Sequence, residues 1–209
     1  MESLEVKRQV FHGTLGVVFV ALLYFGTLEW LGDMIPLSVL RSPARPLLIF
    51  LAVGVTLILL SRKYRIPLIY WFLTNFERRE EIEVFPGRGA FFAVLGIFLV
   101  VALFELPIAM ASITILALGD SISHLVGQKV GRTKHPLSKV KFLEGHIAGI
   151  LISAAAATLF VPPLWALIAA SVAMFVEGID VGLAGSRMAD DNLIIPVTAG
   201  VVLFIISSL

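Results

Sequence analysis

Leu118-Gly-Asp120-Ser-Ile-Ser-His124-Leu-Val-Gly127-Gln-Lys129-Val-Gly131-Arg132-Thr-Lys-His-Pro-Leu-Ser-Lys139-Val-Lys141-Phe-Leu-Glu144-Gly145 is the stretch on which the reading of this chain turns. It emerges from an apolar run, Ile108 to Leu118, broken only by Ser112 and Thr114, and it returns to apolar sequence at Leu143. Between the two runs the chain is glycine-punctuated and basic. A buried acid followed by a basic loop between two apolar segments is the pattern of a polar loop joining two membrane spans. Backbone amides in lipid need internal partners, and the chain has no alternating ten-residue strands, so the spans are read as helices.

The whole composition agrees. Of 209 residues, 58% are hydrophobic and 15% charged, and mean hydropathy is +0.98; a soluble domain carries roughly 25% charged residues. The expected fold is therefore all-α, a polytopic membrane helical bundle of about seven spans forming one membrane-embedded domain over residues 1–209. The spans are placed at about Val10–Leu31, Pro46–Ser61, Gly89–Phe104, Ile108–Val126, Leu143–Val161, Leu164–Ile179 and Leu193–Ser208. Ile66 to Phe76, with Tyr70 and Trp71, is too short to cross and reads as an interfacial helix. The N-terminal stretch carries acids and lacks a small-residue cleavage site after its apolar run, so it reads as a retained span. No cysteine is present, which excludes disulfides, thiolate metal sites and cysteine nucleophiles.

Net charge is only +1, yet its distribution is one-sided. With seven spans, all sixteen Lys and Arg except Arg41 and Arg45 fall on one face, which the positive-inside rule assigns to the cytoplasm together with the N-terminus. The lack of added soluble domains fits a prokaryotic plasma membrane. Nothing points to a nucleic-acid partner, and oligomeric state stays open.

The chemistry-bearing residues cluster on that same face. An acid at the depth of Asp120 is costly and marks a functional site; the alternative is a buried aspartate that caps a helix or pairs with an arginine. A divalent cation, Mg²⁺, suits it, because that ion takes few carboxylates and completes its shell with water and phosphate oxygens. His124 is near enough to assist, though a lone helix-end histidine is commonly just a packed one. Gly127 and Gly131 are spaced for turns that bring amides to an anion. Lys129, Arg132, Lys139 and Lys141 supply charge for phosphate, although basic loops also arise simply to set topology. Glu144, at the start of the returning helix, reads as a second ligand or as an acceptor that orients Lys141. Asp190-Asp191-Asn192 opens the last span, where an N-cap and a catalytic or metal role are both reasonable. Glu177 and Asp180 end the sixth span on this face, and Arg8 and His12 share a helix face near the N-terminus. The Glu77-to-Glu83 block reads as a solvated face. There is no Walker A pattern and no dinucleotide glycine motif.

The Gly119-Asp120 loop, Lys141-Phe-Leu-Glu144-Gly145 and Asp190-Asp191-Asn192-Leu-Ile-Ile-Pro196 together resemble the motifs of the CTP-dependent polyprenol kinase family. That family includes dolichol, phytol and farnesol kinases and the fungal CTP-dependent diacylglycerol kinase. Lys7-Arg8-Gln-Val-Phe-His12 and the segment from Glu77-Arg78 to Gly89 are similar to two further elements of it. Phe142 stands where the family often has a hydroxyl residue, and the chain is short, like a compact catalytic core.

The resemblance implies CTP as donor and a lipid alcohol of the dolichol type as acceptor, taken from the bilayer. Asp120 with Asp190 or Asp191 would bind Mg²⁺, and Asp120, Glu144 and Asp191 would take part in catalysis. Gly127, Lys129, Gly131, Arg132, Lys139, Lys141 and Asn192 would bind the nucleotide. Two other readings remain at this stage: a cytidylyltransferase making a CDP-lipid, and an ion-coupled transporter. The second would more naturally show paired broken helices in two halves, and no such symmetry is seen.

Overall fold

The computed structural model describes residues 2–136, 138, 141–179 and 190–209, with the side chains of Glu2, Ser3 and Glu80 outside the description. The described residues are helical apart from turns, loops and one isolated antiparallel bridge, Lys134 with Phe142. In order the helices are α1 (Glu2–Tyr24), α2 (Thr27–Asp33), α3 (Ala44–Lys63), α4 (Pro67–Phe76), α5 (Arg79–Val84), α6 (Arg88–Leu103) and α7 (Leu106–Thr114). A π-helical segment (Ile115–Asp120) follows, then α8 (Ser121–Val130), α9 (Leu143–Ala157), α10 (Pro163–Gly178) and α11 (Asp191–Ser207). This is an all-α membrane bundle. Three continuous helices, Leu4–Tyr24, Ala44–Lys63 and Leu106–Val130, are long and apolar enough to cross a bilayer, and four shorter apolar ones accompany them. These seven correspond to the seven spans expected.

Two boundaries differ from expectation. The first span was placed at Val10–Leu31, but its helix starts at Glu2 and stops at Tyr24, and α2 is a separate helix. The cause is Gly26, whose φ of +70° is left-handed and ends the helical ladder where a side chain would be strained. The interfacial helix appears as α4, opened by Pro67 at its first turn, where the missing N–H costs nothing.

The rod from α7 through α8 is the axis of the molecule. It runs unbroken for 25 residues and packs against α1, α9 and α11, while its α7 and π segments also meet α6 and α10 respectively. The hydroxyls inside it are satisfied locally: Ser112 Oγ donates to the Ile108 carbonyl at 2.7 Å and Thr114 Oγ1 to that of Met110 at 2.8 Å. Aliphatic side chains that include Ile113, Ile115, Leu116, Met174, Ile195 and Leu203 fill the space around it. On α9, a Cβ at Gly145 would lie 2.2 Å from the Ser123 carbonyl oxygen, and one at Gly149 would lie 2.6 Å from that of Gly119. Only glycine lets α9 lie this close to α8, and small residues serve this purpose between membrane helices. That contact delivers the Lys141 loop to the side of Asp120.

Candidate active site

The π segment ends at Asp120. Such widened turns inside α-helices are frequent at functional positions, where they displace a side chain from the regular helix surface. Asp120 is buried, its Oδ1 lies 3.3 Å from His124 Nε2 one turn on, and Glu177 arrives from the end of α10. Ligand atoms of Asp120, His124 and Glu177 lie within 4.8 Å of one another, a grouping able to hold a cation.

Lys141 closes the arrangement. Its ammonium donates to the Glu177 carboxylate, to the Glu177 carbonyl at 2.9 Å, and to Asp191 Oδ2 at 3.3 Å. Burial alone would lower the Lys141 pKa, but the carboxylates of Glu177 and Asp191 outweigh it and raise the pKa, so the side chain stays charged. Asp190 accepts the Asn192 N–H at 3.1 Å as the N-cap of α11 and pairs with Arg88 Nε at 3.2 Å. Burial raises the Asp190 pKa against both of those contacts. Asn192 itself donates through Nδ2 to the Gly89 carbonyl at 3.3 Å, tying α11 to α6.

These groups line one cleft of about 880 Å³ at one end of the bundle. Of the residues singled out in the sequence, Arg8, His12, Asp120, His124, Gly127, Lys141, Glu177, Asp190, Asp191 and Asn192 line it. Five buried side-chain polar atoms among the described residues lack a hydrogen-bond partner: Arg8 Nε, Gln9 Oε1, His12 Nε2, Asp120 Oδ1 and Glu177 Oε2. Every one belongs to a residue lining this cleft. Buried polar groups are ordinarily paired, so their concentration in one place points to a ligand.

Other expected site residues sit elsewhere or for other reasons. Lys129 and Arg132 are exposed beyond the cleft lining. Lys139 and Asp180 lie outside the described residues. The Glu144 carboxylate accepts the backbone N–H of Thr133 at 2.9 Å and of Arg132 at 3.2 Å, which pins the start of the basic loop to α9. Gly127 is helical and Gly131 has an ordinary φ of −61°, so neither makes a left-handed turn. Gly131 instead leaves room for the Phe142 ring, since a Cβ there would lie 2.4 Å from it. Phe142 is thus the packing centre of the loop, with Lys134 Nζ 4.0 Å from its ring centroid.

The Glu77-to-Glu83 block is solvated in part, as expected, at Arg78, Arg79 and Glu83, but not at its first residue. Glu77 is buried and accepts the Gly87 N–H at 2.8 Å, and burial pushes its pKa up to about 7. Arg78 pairs with Glu5, and Glu81 lies 3.8 Å from Arg8. Arg88, Glu77, Gln9 and His146 were not singled out as site residues by sequence reasoning, yet all line the cleft. Gln9, Glu77 and Arg88 fall within the two further motif segments, Lys7 to His12 and Glu77 to Gly89, while His146 follows Glu144-Gly145 with no signal of its own.

Fold and site together define an all-α membrane protein whose polar cleft combines a cation-capable acidic group with half-buried positive charge. The CTP-dependent diacylglycerol kinase 1 of Schizosaccharomyces pombe is 29% identical to this chain over 144 residues, or 60% of this chain and 63% of that kinase. The match thus spans less than two thirds of the kinase's length. An uncharacterised protein of Methanocaldococcus jannaschii is 25% identical over 190 residues, covering 90% of this chain and 89% of that protein. No protein-family model matches the chain, and no solved structure matches it.

Proposed function

We propose that this chain is a CTP-dependent lipid kinase that transfers the terminal phosphate of CTP to the hydroxyl of a polyprenol-type lipid alcohol. The observation that carries the reading is the gathering of all five unpaired buried polar atoms in a cleft that also holds Lys141 between Glu177 and Asp191. Phosphoryl transfer demands little covalent chemistry from a protein and much positioning and charge neutralisation. The similarity to the yeast kinase supports CTP as donor and a lipid acceptor.

The donor set fits a divalent cation such as Mg²⁺: Asp120 Oδ1 and Glu177 Oε2 are buried oxygens that no well-formed hydrogen bond satisfies, with only the His124 and His146 imidazoles near them at 3.3 and 3.8 Å, and His124 completes the group. When bound, the ion supplies neutralisation of phosphate charge. Lys141, half-buried and charged, contributes a second positive centre, and Arg88 a third beside Asp190. Exposed Lys129 and Arg132, together with Lys139, raise the local concentration of the anionic nucleotide. In the transfer the bond between the terminal phosphorus and its bridging oxygen breaks, a bond to the lipid oxygen forms, and CDP leaves. The hydroxyl proton passes to Asp191, which at 42% exposed is the most open of the carboxylates around Lys141. We place this face in the cytoplasm of a prokaryotic plasma membrane, from the asymmetry of Lys and Arg.

A diacylglycerol acceptor is the second reading, favoured by the activity in the yeast relative's name. One experiment tests both. Purified protein in detergent is given γ-labelled CTP or ATP, Mg²⁺, and in turn dolichol, geranylgeraniol, phytol and diacylglycerol. Label passing from CTP to a lipid, with CDP released and the transfer stopped by chelator, is expected, and the lipid labelled names the acceptor. With phosphatidate and a polyprenyl phosphate added as acceptors, release of labelled pyrophosphate as CMP joins the lipid phosphate to form a CDP-lipid would replace the kinase by a cytidylyltransferase. No transfer to any of these lipids would overturn the reading.

A further inference from the structure

The cleft has a second, apolar arm that the phosphate chemistry does not use. Phe11 of α1 meets Phe72 and Phe76 of α4 with ring centroids 5.0 and 4.8 Å apart, and those two rings are 5.0 Å from each other. Together with Leu15 and Ala93 they line the same cavity as Asp120 and Lys141. Where this arm meets the acidic group stand Gln9 and His12, one turn apart on α1. Gln9 is 2% exposed; its Nε2 donates to Glu5 at 3.2 Å, which leaves its Oε1 without a partner. His12 Nε2 is likewise buried and unpaired.

We infer that this arm receives the hydroxyl end of the lipid acceptor, with the hydroxyl against Gln9 and His12 and the adjoining chain along Phe11, Phe72 and Phe76. The inference rests on the kinase reading and adds the location of its acceptor. The phosphates of the donor have no use for three clustered phenyl rings, and a lipid chain has no use for Lys141, so one cavity with two unlike arms suits two unlike substrates; the donor's cytosine base is the one other group that could lie on these rings, and the KM for CTP in the test below separates the two. The placement also explains α4. This helix packs on α1 and α3 and carries cleft-lining and exposed apolar side chains on different faces. Phe72 and Phe76 are half-buried on its cleft side, while Leu68 and Trp71 are 76% and 58% exposed. Pockets that enclose a drug-sized ligand span roughly 300–1,000 Å³. At about 880 Å³ the cleft takes a nucleotide and the start of an acceptor, and no long tail. The tail therefore leaves past α4 into lipid, and selection acts on the part of the acceptor next to its hydroxyl.

The test has a binding arm and a kinetic arm. Diazirine-tagged geranylgeraniol and diazirine-tagged dioleoylglycerol, each with the tag near the hydroxyl, are photolysed with the full-length protein in detergent. Crosslinks by at least one of them to peptides of α1 or α4, lost on adding the untagged alcohol, are expected. In the kinetic arm, Phe72→Ala with Phe76→Ala raises KM for the acceptor on the order of ten-fold, by loss of apolar contact, and leaves KM for CTP unchanged. The Phe→Leu pair restores most of the loss, and His12→Ala shifts the acceptor KM in the same selective way. Crosslinks confined to other helices, no crosslink from either probe, or equal shifts in both KM values would overturn the placement. Transfer intact with crosslinks elsewhere removes the placement alone; crosslinks on α1 or α4 without transfer to any lipid remove the kinase reading and keep a lipid-alcohol site.

Discussion

The two ends of the bundle handle charge in opposite ways. At the end opposite the cleft, Arg45 donates to the carbonyls of Leu40, Gly32 and Ile35 at 3.0, 3.1 and 3.2 Å. Arg41 donates to the Phe104 carbonyl and pairs with Glu105 at 3.1 Å. Ser42 donates to the Glu29 carbonyl at 3.0 Å. These groups close the loops between α1, α2, α3 and the α6–α7 turn. At the cleft end the polar groups are more deeply buried and less completely paired. A loop that needs only to hold its shape uses up its hydrogen bonds, whereas a cleft that must accept a ligand keeps atoms in reserve. The difference separates structural polarity from functional polarity without reference to any relative.

The sharpest break between the ends is expected at Asp120. Asp120→Asn removes a charge from the cation-capable group while keeping shape, and transfer should fall on the order of a thousand-fold or more, since phosphoryl transfer depends on charge neutralisation. Arg41→Ala at the other end should leave turnover per folded molecule within about two-fold and cost about 1 kcal/mol of stability, the scale of a lost part-exposed hydrogen bond. Label transfer and thermal unfolding in detergent measure the two effects. Equal losses of turnover in both variants would erase the comparison.

Lys141 comes next. Lys141→Met takes the ammonium from between Glu177 and Asp191 and leaves two carboxylates facing one another. The expected result is a loss in kcat/KM for the nucleotide on the order of a hundred-fold, by removal of a charge-assisted phosphate contact. An unchanged nucleotide KM and kcat would make Lys141 a purely structural counter-ion.

Much of this was legible in the sequence, and the reasons for what was not are specific. Apolar length marked the seven helices because lipid imposes it. Asp120 stood out because an acid inside an apolar run has few explanations, and Glu177 and Asp190 could be read from their places at helix ends. Gly26, by contrast, is an ordinary residue of an apolar segment until its positive φ divides α1 from α2. Glu144 lies in a motif with lysine and so reads as a ligand, whereas its carboxylate is used by two backbone amides twelve and eleven residues earlier. The α6–α11 contact that brings Arg88 to Asp190 spans 102 residues, and no local pattern announces it. Packing also gives glycines a role that spacing does not show: Gly131, read from its spacing as a turn for phosphate, makes room for Phe142, and Gly145 lets α9 reach α8. Gly145→Ala should cost about 2 kcal/mol, the range of an overpacked core, because its Cβ would meet the Ser123 carbonyl at 2.2 Å. A thermal shift shows it, and an unchanged midpoint would mean that α9 can move away from α8.

The effect furthest from turnover is a pH dependence of stability carried by Glu77, which sequence patterning places on a solvated face. Burial raises its pKa from the ordinary 4.5 to about 7, the Gly87 N–H opposing the rise. The unfolded chain then loses this proton near pH 4.5 and the folded one only near 7. Between those values the folded state binds more protons, so the Glu77 contribution to stability declines as pH rises and is level again above about 7. Glu77→Gln keeps an oxygen able to accept the Gly87 N–H but cannot ionise. The variant should therefore gain on the native chain as pH climbs through this window, and the two unfolding midpoints should run parallel on either side of it. Parallel midpoints throughout would mean that the carboxylate keeps its ordinary pKa, and that the wall of the cleft beside α4 is wetter than its burial implies.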